Sequence, residues 1–405
     1  MKGRIVFNGN IGSEVEFIEG FAPQILDSTH ENPTIRDSRK VLLITAAWQK
    51  REFQESHIRQ ALYEIGIQPR FVDGYDTHVQ NLSIYHDFNH LRQADPELYQ
   101  QYHSKQQVIQ EFKRFYREKN SGLIRILQNQ LSLLRTHFPR LALAPVLSYD
   151  VQAGQQQLSQ YNPWQMLYHY ACQDIQASMA KLRSHDERML QICHEIDAAF
   201  IESSGLKQHP LYQTLRQELK NRILSANSIF IFGGHIAVLF NRLNFFDLKE
   251  TFIEALERGC NFYTVSAGSM ALCEYVVVFD EDSNEWTGTQ RMYDFELFDK
   301  GFGLVSKIQL FPHCKDYIAI EDPDTIAYTA ARFNRSLCVG LDQHSFLAME
   351  TFEHQGQEYE RFSSVGEHEG LYLFKANGKV ETVGYGQELN LPGTLHWQAS
   401  TTENT

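Results

Sequence analysis

A serine set among small residues is the first chemical feature of the chain. Val265-Ser266-Ala267-Gly268-Ser269 follows the apolar run Asn261-Phe262-Tyr263-Thr264-Val265 and leads into Ala271-Leu272-Cys273, the first turns of a short helix. A strand that turns sharply into a helix through such a serine leaves its hydroxyl exposed at the carboxyl end of a sheet. The backbone N–H of Ala267 then points into the same space, and the helix N-terminus adds partial positive charge where an oxyanion would form. A second junction has a related form. Ser228-Ile229-Phe230-Ile231-Phe232 ends in Gly233-Gly234 before a helix from Val238 to Leu243, so bare amides face the same end of a sheet. A nucleophilic serine also needs a base. Phe311-Pro312-His313 sets a histidine directly after the apolar run Ile308–Phe311, at a strand end, where reactive residues of open α/β sheets gather. Most of the seventeen histidines lie instead on helical or polar stretches. The plain structural alternatives are an ordinary strand–helix connection, a tight-turn glycine pair and a buried structural histidine.

These residues need a scaffold, and the chain changes character twice in supplying one. Arg4-Ile5-Val6-Phe7 and Val41-Leu42-Leu43-Ile44-Thr45 read as buried strands, the second leading into a helix around 52–65, and Pro69-Arg70-Phe71-Val72-Asp73 reads as a third strand. Strand, helix, strand implies an α/β fold with a mostly parallel sheet flanked by helices, here spanning residues 1–80 and resuming at 226–395. Between them, 81–225 reads as an all-helical insertion. Val108, Phe112, Phe115 and Tyr116 share one face, and Leu123, Leu127, Leu131 and Leu134 recur at four- and three-residue steps. Asp95-Pro96 and Asn162-Pro163 mark helix starts, and Ser184 with Glu187 reads as a capping box. The insertion is read as a subdomain packed on the sheet, with a lid over the site or a dimer interface as the sharper alternatives. Beyond a second helix at 247–258, strand-like runs recur at 337–341, 346–349 and 371–374, and residues 396–405 form a polar, frayed tail.

Composition narrows the function classes. The net charge of −13, with no long basic run, argues against nucleic acid or an anionic membrane as the main partner. The start lacks a secretory signal, and no window approaches the roughly 20 apolar residues of a bilayer span. The expected location is therefore cytoplasmic. Six scattered cysteines without a Cys-x-x-Cys pair read as buried free thiols. No metal-ligand spacing or phosphate-binding loop is evident, so no cofactor is expected.

Residues 228 to about 350 resemble the serine-peptidase family of aspartyl dipeptidase (peptidase E) and cyanophycinase, which has a glutamine-amidotransferase-like fold. The resemblance rests on an ordered set: Ile229-Phe230-Ile231-Phe232-Gly233-Gly234, Val265-Ser266-Ala267-Gly268, Gly301-Phe302-Gly303-Leu304, Pro312-His313 and Val339-Gly340-Leu341-Asp342. Residues 3–9 and 41–47 resemble the opening strands more loosely. The resemblance implies Ser266 as nucleophile, His313 as general base, and the N–H groups of Gly234 and Ala267 as oxyanion donors. It places the acidic triad member in Asp280-Glu281-Asp282, with Glu281 first and Asp280 second by spacing. Arg332 and Arg335 repeat an arginine pair of peptidase E and imply a site for a substrate carboxylate. Two departures stand out: Thr264 replaces the usual glycine two residues before the serine, and His235 replaces the asparagine of Gly-Gly-Asn. The expected function is a serine peptidase cleaving a peptide or isopeptide bond, with an aspartyl preference as the family's habit, acting on a small peptide as monomer or homo-oligomer. The alternative is a catalytically inactive binding protein on the same scaffold. An amidotransferase-like glutaminase would carry a cysteine where Ser266 stands.

Overall fold

A computed structural model describes residues 2–158, 162–279, 295–354, 356–366 and 370–391. The central sheet has seven strands. In chain order they are β1 (Ile5–Asn8), β2 (Val41–Ile44), β5 (Val79–Asn81), β6 (Ser228–Ile231), β7 (Asn261–Val265), β12 (Phe346–His354) and β13 (Gln357–Ser364), arranged β13-β12-β1-β7-β6-β2-β5. The five from β1 to β5 in that order run parallel, and β12 and β13 add an antiparallel edge. Strands β1, β2, β6 and β7 are buried along their whole length. That explains their continuous apolar runs, because helices cover both faces of a parallel sheet.

A second sheet carries β10 (Ile308–Pro312), β11 (Leu337–Leu341), β14 (Leu371–Phe374) and β15 (Val380–Val383), in that order. β8 (Tyr275–Phe279) and β9 (Phe295–Lys300) form a separate antiparallel pair. The expected third strand is corrected. Phe71–Val72 (β3) is a two-residue exposed strand pairing with Tyr75–Asp76 (β4), and the parallel strand beside β2 is β5. Phe71 is 64% exposed, so the residues around Pro69 have no core to enter.

Two helices of 42 residues, Pro96–His137 and Pro163–Ser204, form an antiparallel arm. Their starts are those read from sequence. Asp95 accepts from Leu98 N, Asn162 accepts from Trp164 N and Gln165 N, and proline follows each cap. The expected box at Ser184 and Glu187 does not form, because both lie inside the second arm helix. The buried row Met179, Leu182, Met189 and Cys193 carries that helix straight through. Leu127, Leu131 and Leu134 pack between the arm helices, joined by Ile109 and Tyr116. By contrast, the flanking helices Ile84–Ala94 and Pro210–Leu224 pack on the central sheet's own core.

The arm shares a buried apolar cluster with the body, in which Tyr116, Leu127 and Met189 join Phe295, Phe311 and Tyr328, and polar contacts add to it. Arg332, in the helix Pro323–Arg332, donates from Nε and Nη2 to the two oxygens of Asp186, each at 2.9 Å, and Asn120 Nδ2 also donates to Asp186 at 2.9 Å. Arg135 pairs with Asp324, whose other oxygen accepts Leu143 N at 2.7 Å. Among the described residues no helix is long and apolar enough to cross a membrane. All six cysteines are buried and unbridged.

Candidate active site

Ser266 sits at the end of β7 with φ 48° and ψ −110°, a backbone region that costs a non-glycine residue on the order of 1–3 kcal/mol. Its surroundings hold it there. Ser266 N donates to Asn8 O at 3.0 Å, tying the turn to β1. Small neighbours make the turn possible. A Cβ on Gly268 would fall 2.2 Å from Ile231 O, and one on Gly233 would fall 2.9 Å from Ser266 Cβ. The short helix Ala267–Leu272 that follows is wholly buried.

Thr264 does not distort this elbow. It is fully buried, with Oγ1 donating to Val6 O at 3.2 Å and lying 2.9 Å from Ser269 Oγ, which in turn donates to Asn8 O at 2.9 Å. The threonine thus stitches β7 to β1 and to the elbow helix. His235 likewise does the capping work of an asparagine: its Nδ1 accepts from Val238 N at 3.3 Å at the start of the helix Ile236–Phe245.

β10 delivers His313, which turns out of the strand in the left-handed region, φ 54° and ψ 35°. Ser266 Oγ and His313 Nε2 are 2.9 Å apart. With the serine donating, Nε2 accepts and the ring proton sits on Nδ1. That nitrogen faces the Asp316 carboxylate at 3.9 Å, an ion-pair distance rather than a hydrogen bond. Burial lowers the His313 pKa below its ordinary 6.5, while the charges of Asp316 and Asp342 oppose that shift. The imidazole is therefore held neutral, the form a base requires.

The glycine turn after β6 lies beside the serine. Trp48 Nε1 donates to Gly233 O at 3.1 Å, and His235 N donates to Ala47 O at 3.2 Å, so the segment after β2 fixes it. Gly234 has φ 129°, a conformation that a side chain would strain. Among the described residues, neither Gly234 N nor Ala267 N is taken by a backbone acceptor. Both residues line a cleft of about 460 Å³ with Ser266 and His313. Its walls include Glu14, Trp48, Phe279 and Tyr317, and the rings of the last two stack at 4.5 Å.

Two sequence expectations need separate treatment. Asp280 and Glu281 lie outside the described residues. Arg332 and Arg335 are described, and neither reaches the cleft. Arg332 is only 6% exposed and its guanidinium is committed to Asp186, while Arg335 is on the surface paired with Glu187 at 2.6 Å. Their three-residue spacing reflects a helix end docked on the arm, not a carboxylate clamp. Sequence reasoning missed Trp48 and Glu14, whose distance along the chain from Ser266 hides their place in the cleft. It also missed Asp316, although the His313-x-x-Asp316 spacing was there to read.

Comparison with known proteins fits this geometry. Residues 187–354 match the model of peptidase family S51. That segment of the chain is similar to peptidase family S51. The match includes both Ser266 and His313, and it supports a serine peptidase. No curated protein matches. A crystal structure of a peptidase from an acI-B1 Actinobacterium is similar over 96% of this chain and 97% of that one, at 13% identity and a TM-score of 0.44. That likeness is too distant to carry a functional argument.

Proposed function

We propose that this chain, whose residues 187–354 match peptidase family S51, hydrolyses a peptide or isopeptide bond through an acyl-enzyme on Ser266. The observation that carries the reading is the 2.9 Å contact between Ser266 Oγ and His313 Nε2, made by a serine held at positive φ. His313 takes the hydroxyl proton as Ser266 attacks the carbonyl carbon, then returns it to the leaving amine. The N–H groups of Gly234 and Ala267 receive the developing oxyanion, each such donor being worth about 10²–10³ in rate. The Asp316 and Asp342 carboxylates stabilise the imidazolium that forms between the two steps, the role expected of Glu281 or Asp280. Water then attacks the acyl-enzyme by the same route in reverse.

The aligned pair weighs against an inactive binding scaffold, because a strained serine without a reaction to serve is a standing cost. An aspartyl preference loses the support of Arg332 and Arg335 and rests on the family alone. The test is hydrolysis of a mixed peptide panel, including α- and β-aspartyl dipeptides, followed by mass spectrometry. Cleavage by the wild type and none by Ser266→Ala is expected. Equal cleavage by both proteins overturns the assignment.

A further inference from the structure

The first arm helix carries a second apolar stripe that, among the described residues, stays exposed. Val108, Phe112, Phe115, Ile126 and Leu133 are 45, 38, 60, 50 and 67% exposed. With Lys119, Gly122 and Asn129 they follow one another at alternating steps of four and three residues from 108 to 133, the period of a coiled-coil seam. The seam runs about 38 Å at 1.5 Å per residue. It is distinct from the row Ile109, Tyr116, Leu127, Leu131 and Leu134, which is buried against the second arm helix. It is also away from β9, whose Asp299 and Glu296 pair with Lys113 and Arg117 on another side of the helix.

We propose that this seam docks antiparallel on the same seam of a second copy of the chain. The sequence is self-complementary about a two-fold axis between Lys119 and Gly122. In that register Val108 meets the partner's Leu133, Phe115 meets the partner's Ile126, and Phe112 meets the partner's Asn129. At the centre Lys119 lies over the partner's Gly122, which leaves room for its aliphatic stem. Because the interface is isologous, every pair occurs twice. Charge agrees with the register. Glu118 and Arg125, both exposed, flank the seam on its outer side, and antiparallel docking sets each opposite the other in the partner. A parallel pairing would instead stack Lys119 on itself. The stripe therefore fits its own copy in one orientation.

Sedimentation equilibrium of the full chain over a micromolar concentration series tests this. A monomer–dimer equilibrium is expected, and Phe115→Glu with Ile126→Glu should weaken it by about tenfold or more, the scale of lost anchor contacts. Both positions are exposed, and circular dichroism checks that each variant is folded. Glu118→Arg and Arg125→Glu should each weaken the dimer singly, and the double exchange should restore it. A chain that stays monomeric overturns the proposal. So does a dimer indifferent to the seam substitutions, or a double exchange as weak as the singles, and a seam needed only for binding a different protein would do the same.

Discussion

The elbow around Ser266 and the helical arm are built by opposite means. At the elbow almost every constraint involves the backbone: Ser266 N on Asn8 O, glycines where a Cβ would collide with Ile231 O or Ser266 Cβ, and Trp48 on Gly233 O. Geometry of this kind tolerates little, and it aims one hydroxyl at one imidazole. The arm is made of long regular helices, and its docking depends on side chains meeting across the fold, as Asn120, Asp186 and Arg332 do. The difference teaches where each region is sensitive. Chemistry should fail at the elbow with the fold intact, and the fold should weaken at the arm with the chemistry intact.

Arg332→Ala offers the largest expected effect on stability. It strands Asp186 in a buried site, which costs about 3–5 kcal/mol, whereas Arg332→Met combined with Asp186→Leu should recover most of it. Urea unfolding of the single and double variants measures this, and kcat of the folded fraction should stay near wild type. A large loss of kcat in the recovered double variant would break the comparison, because the arm would then serve the chemistry. Next comes Gly268→Ala. Its Cβ has no space against Ile231 O, so a loss of about 1–3 kcal/mol is expected from overpacking, together with a fall in kcat as Ser266 shifts. Unchanged activity in that variant would show an elbow far softer than described.

The smallest effect is on pH. Burial holds the His313 pKa down, so the neutral, competent form persists below pH 6.5. The acid limb of kcat/KM should therefore fall below 6.5, and Asp342→Asn, by removing a charge that raises the pKa, should move it lower still. A limb above 6.5 would mean that the carboxylates outweigh burial.

The same contrast explains what the sequence made legible. Elbow, glycine turn and His313 could be read because strand ends, small residues and turns are written in consecutive positions. The starts at Asp95 and Asn162 were readable for the same reason. Arg332 misled, because its partner lies on another helix and spacing alone does not distinguish a buried pair from an open clamp. Ser184 misled because a capping pattern yields to the buried row Met179, Leu182 and Met189 that continues on both sides of it. The strand expected at Pro69 failed for want of a buried face, while β5, only three residues long, gave too short a signal.

Labelling with a fluorophosphonate, read by intact mass and peptide mapping, tests the central claim most directly. The account predicts one adduct on Ser266 in the wild type, none in Ser266→Ala, and labelling slowed by about 10²–10⁴ in His313→Ala. An unlabelled wild type, or an adduct on another residue, would contradict it.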